Sequence, residues 1–225
     1  MTTIPVLFAI GESNFSDHGA NRLGASSLMQ AAGDGYFILP VTISNYLADE
    51  IRVPKIATDS PEFEEAEKSA RDRLNKLLSV KGKQTATSFH KRLGKIMWDH
   101  VGMARNEEGL MKALEMIGEL RNEFWKDLKI PGTPNELNQE LEKAGRIADF
   151  FELARLMIYD ALNRKESCGA HFREEYQTPD GEALRNDNDY AFVSVWEYKG
   201  DDKEHILHKE QLRFEEVEMK VRSYK

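Results

Sequence analysis

The sequence has little of what marks several protein classes. Its 225 residues include one cysteine, Cys168, so an intrachain disulfide and a multi-thiolate metal site are both excluded, and a reducing compartment fits. The net charge is −8 without a basic stripe. This argues against nucleic acid as a partner, because phosphates need neutralising cations. The most apolar stretch, residues 36–47, is interrupted by Pro40 and is too short to span a bilayer.

The amino-terminal part predicts a short strand and then a helix. An apolar run over residues 6–10 ends at Gly11, as in a short buried strand. A helix is predicted from Ser26, with Ser26 or Ser27 available to cap its start. Its apolar side chains at near-helical spacing are Leu28, Met29, Ala32, Phe37 and Ile38.

The middle of the chain predicts a bundle of long antiparallel helices, because apolar residues recur there at helical spacing. Pro61 suits the first position of the first of them. The predicted helices cover residues 62–78, 87–103, 107–128 and 136–162. Beyond residue 163, glycine, aspartate and proline separate short strands, which are predicted over residues 192–198 and 206–214 with a turn at 200–202.

The run His-Gly-Ala-Asn-Arg-Leu-Gly-Ala-Ser-Ser, residues 18–27, places Arg22 beside a glycine-containing turn that opens into a helix. A guanidinium matches a carboxylate or phosphate with two parallel hydrogen bonds, and the free amides of a helix start favour negative charge. Glu12, directly after the predicted strand, is placed to accept hydrogen bonds from ribose hydroxyls. A capped helix with a surface arginine and a solvated glutamate explains this spacing equally well, since such turns are weak motifs.

Three segments carry a resemblance to a known family: Leu-Phe-Ala-Ile-Gly-Glu at residues 7–12, the run at 18–27, and Glu-Ser-Cys-Gly-Ala-His-Phe-Arg at 166–173. Together they resemble the carboxy-terminal portion of the flavoprotein subunit of succinate dehydrogenase and fumarate reductase. The resemblance implies a mainly α chain in three parts. These are the end of an FAD-binding α/β domain (1–52), an antiparallel helical bundle (58–165) and a small α+β carboxy-terminal domain with short strands (166–225).

The resemblance also implies an activity, the interconversion of succinate and fumarate by hydride transfer to or from FAD. Arg22 would hold a carboxylate of the dicarboxylate substrate and Glu12 would bind the FAD ribose. Ser27 and Leu28 would contact the flavin ring at the helix start, and no residue of this chain is expected to be catalytic or to bind a metal. Electrons would pass to an iron-sulfur subunit and then to quinone through a membrane anchor. The chain would therefore sit peripherally at the cytoplasmic face of the membrane.

The sequence also departs from the family. Ala25 and Ser26 stand where many members have glycine and asparagine, and Cys168 stands where arginine is frequent. The Gly-x-Gly-x-x-Gly turn of a dinucleotide fold, the flavin-linking histidine and the capping domain are absent from these residues. We therefore expect the chain to be inactive alone and to need the rest of the flavoprotein chain as its partner. This raises the alternative that Met1 is internal to a longer reading frame.

Two further interpretations stay open. L-aspartate oxidase shares the His-Gly-Ala-Asn-Arg pattern and oxidises an amino dicarboxylate to its imine, although the long bundle and the later motif favour the dehydrogenase. The other interpretation is a non-catalytic helical interaction module. Within the later motif, Glu166, His171 and Arg173 are expected to form a polar network of structural character that joins the tail to the flavin domain.

Overall fold

The computed structural model describes residues 2, 4–14, 24–133, 136–200, 203–216 and 218–220. The chain divides into two compact units, Met1–Pro61 and Glu62–Lys225. The predicted mainly helical fold class is confirmed. The division into 1–52, 58–165 and 166–225 stays a prediction.

The first unit consists of a short turn and one long interrupted helix. The turn is a 3₁₀ segment, Gly11–Ser13. The helix comprises α1 (Ser26–Gly33), a π-helical segment (Asp34–Ile38) and α2 (Leu39–Leu47). Pro40 lies in the first turn of α2 and has no N–H to donate to the preceding turn. The π-helical segment lies directly before it, where the regular α-helical hydrogen-bond pattern has to be interrupted.

Two predictions for this unit are wrong. Residues 6–10 form no strand: the chain turns at Pro5 and Val6, where the Leu7 N–H donates to the Ile4 carbonyl at 3.2 Å. The residues after that turn have no partner strand among those described, and a strand needs one for its backbone hydrogen bonds. The predicted serine cap of α1 is also wrong. Ala25 occupies the cap position, and Ser26 and Ser27 are already part of the helix.

The second unit is built on four helices close to the predicted bounds. They are α3 (Pro61–Ser79), α4 (Ala86–His100), α5 (Glu107–Asp127) and α6 (Gln139–Asn163). Pro61 takes the predicted first position of α3. Each of the other three begins with a side-chain cap, from Thr85, Asn106 and Asn138. These caps satisfy amides that have no partner within a helix, and they fix where each helix starts.

A short parallel strand pair shows that α4 and α5 are antiparallel. β1 (Gln84–Thr85) directly precedes α4 and pairs with β2 (Leu128–Lys129), which directly follows α5. The start of α4 therefore lies beside the end of α5. The chain crosses closely at Gly82, where an added Cβ would lie 1.9 Å from the carbonyl carbon of Asp127. Only glycine fits this crossing.

Aromatic side chains form the centre of the bundle. Phe124 of α5 packs edge to face on Phe89 of α4, with ring centroids 5.3 Å apart, and on Phe151 of α6 at 5.4 Å. All three rings are fully buried. Edge-to-face pairs of this kind add to the stabilisation from burial, so one ring of α5 joins three helices.

The carboxy-terminal strands are confirmed. β3 (Phe192–Glu197) pairs antiparallel with β4 (Ile206–Gln211), and a single helical turn, α7 (Asp187–Tyr190), precedes them. The Trp196 indole N–H donates to Asp160 Oδ1 at 2.9 Å, which ties the hairpin to α6. Within the described part of the chain, no helix is both long and apolar enough to cross a bilayer.

Adjacent phenylalanines on α6 test the core. Phe151 is fully buried, whereas its neighbour Phe150 is 37% exposed. We expect Phe151→Ala to lower the free energy of unfolding by about 3–5 kcal/mol, because it leaves a cavity among three helices. Phe150→Ala is the matched control and should cost about 1 kcal/mol or less. Urea unfolding of both variants measures this, and equal losses would contradict the packing described.

Candidate cofactor and substrate site

The predicted site begins at a close contact between the Gly11 turn and α1. Gly11 has a φ of +61°, and a Cβ there would lie 3.2 Å from both Cα and Cβ of Ala31. Its N–H donates to Asp34 Oδ2 at 2.9 Å. Glycine is therefore required both by the backbone conformation and by the space available.

The turn itself is held at both ends. The Asn14 N–H donates to the Gly11 carbonyl at 3.0 Å and closes the turn. The Asn14 carbonyl in turn accepts from Gln30 Nε2 at 3.1 Å. Glu12 lies between these two anchors, and its side chain is exposed. The arrangement presents a carboxylate to solvent from a fixed backbone.

Ser27 shares the helix face that contacts this turn. Positions 27, 30, 31 and 34 follow the three- and four-residue spacing of a single α-helical face. Ser27 is only 7% exposed, near the start of α1. The fold therefore brings two of the predicted cofactor residues, Glu12 and Ser27, to one side of one helix. Leu28 is turned about 100° from this face and is 72% exposed.

The described residues fit part of a flavin dinucleotide. Glu12 offers oxygen acceptors that suit ribose hydroxyls, and the first amides of α1 suit groups that carry negative charge. Gly24, two residues before α1, has a φ of +71°, and no atom of the other described residues lies within 4 Å of a Cβ added there. Arg22 and the rest of residues 18–23 lie outside the described residues. The role of Arg22 stays a prediction.

The remaining faces of the long helix are apolar and exposed. The predicted helical spacing is correct, but these side chains stay largely exposed. The large exposed apolar side chains are Leu28, Met29, Tyr36, Phe37, Ile38, Val41 and Leu47. An apolar surface of this extent is typical of an interface with another polypeptide segment.

The later motif forms a second cluster, which is a polar network inside the second unit. Arg173 is 1% exposed; its Nη1 donates to the Ala161 carbonyl at 2.7 Å and its Nε to Glu175 Oε2 at 3.0 Å. Its backbone N–H donates to Ser167 Oγ at 2.8 Å. A cation on one of the last carbonyls of a helix is favourable, so Arg173 stabilises the end of α6.

Glu166 is the second centre of this network and is also buried. Its Oε1 accepts from Arg164 Nη1 at 2.8 Å, and its Oε2 accepts from the Asn186 backbone N–H at 2.8 Å. Arg164 also donates to the carbonyls of Tyr190 and Phe192, both at 3.0 Å. The partners that the structure describes thus lie at the carboxy-terminal end of α6 and in the segment that runs from the start of α7 to β3. The structural interpretation of this motif agrees with these contacts.

His171 is held in one tautomer. Its Nε2 lies 2.9 Å from the Arg164 carbonyl, which only accepts, so the ring proton belongs on Nε2. Its Nδ1 then accepts from Arg105 Nη1 at 3.2 Å. Burial lowers the pKa of His171 from the usual 6.5, and the positive charges of Arg105, Arg173 and Arg164 lower it further against the opposing hydrogen bond to the Arg164 carbonyl. The imidazole is neutral at neutral pH.

With this geometry described, comparison with known proteins identifies the family. A family model described as "Fumarate reductase flavoprotein C-term" matches residues 90–224, which is more than half of the chain. The chain belongs to this family. The match runs from α4 through the polar network to the end of the hairpin. It thereby includes the later motif on which the resemblance was partly based, and the predicted family is confirmed.

Curated relatives carry the names of both enzymes. The succinate dehydrogenase flavoprotein subunit of Bacillus subtilis (strain 168) is 33% identical over 195 residues, which are 87% of this chain and 32% of the relative. The fumarate reductase flavoprotein subunit of Proteus vulgaris is 31% identical over 177 residues, 76% of this chain and 28% of the relative. The chain spans about a third of the length of these curated relatives.

Solved structures share the fold. The FrdA chain of E. coli quinol fumarate reductase aligns over 94% of this chain and 34% of its own length, with a TM-score of 0.74 and 24% identity. At this identity the likeness shows the fold alone. The aligned part includes residues of both units.

A separate surface groove of about 320 Å³ lies between α4 and α5. Two ion pairs lie in its lining. Arg92 Nη1 and Nη2 donate to the two oxygens of Glu123, each at 2.6 Å. Lys95 pairs with Asp99 at 2.8 Å. The hydrogen bonds from Arg92 also hold the pKa of Glu123 below its ordinary value. The groove is a surface ion-pair cluster and is not adjacent in sequence to the predicted site residues.

Sequence reasoning missed the residues that hold both clusters together. Gln30 and Asp34 anchor the Gly11 turn, and Arg105 and Arg164 anchor His171 and Glu166. The only sequence feature that could have indicated Gln30 and Asp34 is their four-residue spacing, which places both on one helix face. Arg105 is far from the later motif in sequence, and only the fold brings it there.

The neutral His171 makes stability depend on pH. The unfolded chain binds a proton at the usual pKa of 6.5 and the folded chain only at a lower pH. The free energy of unfolding therefore falls as the pH drops below 6.5 towards the folded pKa. We expect His171→Gln to remove part of this loss, as measured by urea unfolding at about pH 7.5 and about pH 5.5. The exposed His90→Gln is the control, and an unchanged pH dependence in both variants would contradict the assignment.

Proposed function

We propose that this chain is part of a flavoprotein subunit that interconverts succinate and fumarate. One observation carries the proposal. The Gly11 turn, whose first residues lie in one of the family's motifs, is held against the later residues of α1, the helix whose start lies in another of those motifs, in a chain whose second unit belongs to the fumarate reductase flavoprotein family. The turn supplies an exposed carboxylate and the helix supplies free amides, which are complementary groups for a dinucleotide.

In this proposal each predicted residue has one role. Glu12 accepts hydrogen bonds from the FAD ribose, and Ser27 and Leu28 lie against the flavin ring at the start of α1. Arg22 binds a carboxylate of the substrate through its planar guanidinium and so orients the C–H bond that reacts. None of these residues donates or removes the reacting proton.

FAD, when bound, supplies the two-electron chemistry: succinate loses a hydride to it and a proton to a base elsewhere in the subunit, and the carbon–carbon single bond becomes the double bond of fumarate. The chain's own contribution is orientation and charge. The positive end of the α1 dipole favours negative charge on a group at the helix start. Arg22 restrains the dicarboxylate in one orientation. Both effects serve either direction of the reaction.

The first partner in this proposal is the rest of the flavoprotein chain. The relatives are about three times longer than the matched segment, and the long helix of the first unit exposes a continuous series of large apolar side chains. Covering them with another segment of the same subunit would remove this surface from water. The 225 residues alone would not turn over substrate.

Further partners follow from the relatives' names, which are those of subunits. We propose that electrons leave through an iron-sulfur subunit to quinone and that a separate membrane anchor carries the complex. The chain would then lie peripherally on the cytoplasmic side of the membrane. Its own described helices are not required to enter the bilayer.

Arg22 provides the test for the substrate. In the complete subunit that contains this sequence, we expect Arg22→Ala to lower kcat/KM for succinate by roughly 100-fold while FAD stays bound, because a charged anchor of the substrate is lost. Arg52→Ala, at an exposed arginine of the same unit, is the control. Unchanged turnover by Arg22→Ala would contradict the proposal. Turnover of L-aspartate in place of succinate would favour the L-aspartate oxidase alternative.

Glu12 provides the test for the cofactor. We expect Glu12→Gln to weaken FAD binding by about tenfold, since an amide replaces two carboxylate acceptors with one acceptor and one donor. The measurement uses the complete subunit that contains this sequence, with its flavin-linking histidine replaced so that FAD binds reversibly. Equilibrium titration of this apoprotein with FAD, followed by flavin fluorescence, gives the dissociation constant. Exposed Glu50→Gln in the same unit should bind like the unmodified protein. Equal affinities for all three proteins would remove Glu12 from the site.

A further inference from the structure

We propose that Asp34 and Gln30 are positioning residues for FAD, because they fix the turn that carries Glu12 onto α1. This inference rests on the proposed function. Neither residue lies in the motifs that carry the family resemblance. Both would act through the backbone of the turn, without touching the cofactor.

The hydrogen bonds place one anchor at each end of the turn. Asp34 Oδ2 accepts from the Gly11 N–H at 2.9 Å, directly before Glu12. Gln30 Nε2 donates to the Asn14 carbonyl at 3.1 Å, two residues after Glu12. The helix therefore accepts one hydrogen bond from the turn, through Asp34, and donates one to it, through Gln30. The pair resists both sliding and rotation of the turn along the helix.

The helix supplies the spacing. Gln30 and Asp34 are four residues apart, so they lie about one helical turn from each other on the same face. Ala31 lies between them and contacts Gly11. Ser27 lies one turn earlier on this face. The position of Glu12 relative to Ser27 is thereby set by one rigid element.

The same geometry separates positioning from general stability. Asp34 and Gln30 are half-buried and belong to a helix whose other faces are exposed. Each of them holds a backbone group of the turn, Gly11 N–H for Asp34 and the Asn14 carbonyl for Gln30, and neither belongs to the aromatic core of the second unit. Loss of either anchor should release the turn and weaken FAD binding, while the core of the second unit is unaffected.

The experiment compares Asp34→Ala, Asp34→Asn and Gln30→Ala in the complete subunit that contains this sequence. Asp49→Ala, at an exposed acid just beyond α2, is the matched control. With the flavin-linking histidine of the complete subunit replaced in every variant, FAD titration of each apoprotein gives a dissociation constant. Hydrogen exchange of residues 11–14 reports on the turn. We expect Asp34→Ala to raise the FAD dissociation constant about tenfold and to speed exchange of the Gly11 amide. Asp34→Asn keeps an acceptor oxygen and should restore most of both.

The outcomes separate the two proposals. If Asp34→Ala speeds exchange of the Gly11 amide but leaves FAD affinity unchanged while Glu12→Gln weakens it, positioning is overturned and the proposed function stands. If Asp34→Ala changes neither property, the anchor itself is overturned. If the unmodified subunit binds no FAD, the proposed function fails and this inference fails with it. An equal effect of Asp49→Ala would attribute the change to lost charge and would also overturn the inference.

Discussion

Burial of the Phe124 ring is the interaction on which the second unit depends. It joins α5 to α4 through Phe89 and to α6 through Phe151, and so fixes three helices at once. With these three helices fixed, the start of α5 and the end of α6 lie at the same end of the bundle. The polar network of Arg105, His171 and Arg173 occupies that end. Its positive charges are paired with carbonyls and carboxylates, so its role is structural.

The first unit follows a different constraint, the close approach of a glycine turn to a helix. No large apolar core is formed there by the described residues, and backbone hydrogen bonds to side chains define the geometry. Such an arrangement is specific in position but contributes little burial. This combination suits a segment that presents binding groups and obtains its remaining stability from another part of the protein. It also explains why large apolar side chains stay exposed along the helix.

The helices of the second unit could be predicted from sequence because leucine, isoleucine and phenylalanine recur there at helical spacing, and their bounds agree within a few residues with the structure. The strand predicted over residues 6–10 is absent, and the sequence could not show this, since an apolar run carries no information about whether a partner strand is present. The roles predicted for Glu12 and Ser27 stay predictions, although the turn that carries Glu12 is hydrogen-bonded to the helix that carries Ser27. The anchor from Asp34 to Gly11 joins residues 23 apart in sequence and follows no motif. Only the three-dimensional arrangement reveals it.

The central claim is that this chain completes a succinate- and fumarate-reactive flavin site. The most direct measurement is the visible absorbance of the complete flavoprotein that contains this sequence, purified with its flavin and mixed with succinate in the absence of oxygen. We expect succinate to bleach the flavin and fumarate to restore it, and L-aspartate to have no effect. A protein that carries no flavin, or a flavin that does not respond to succinate or fumarate, would overturn the proposed function.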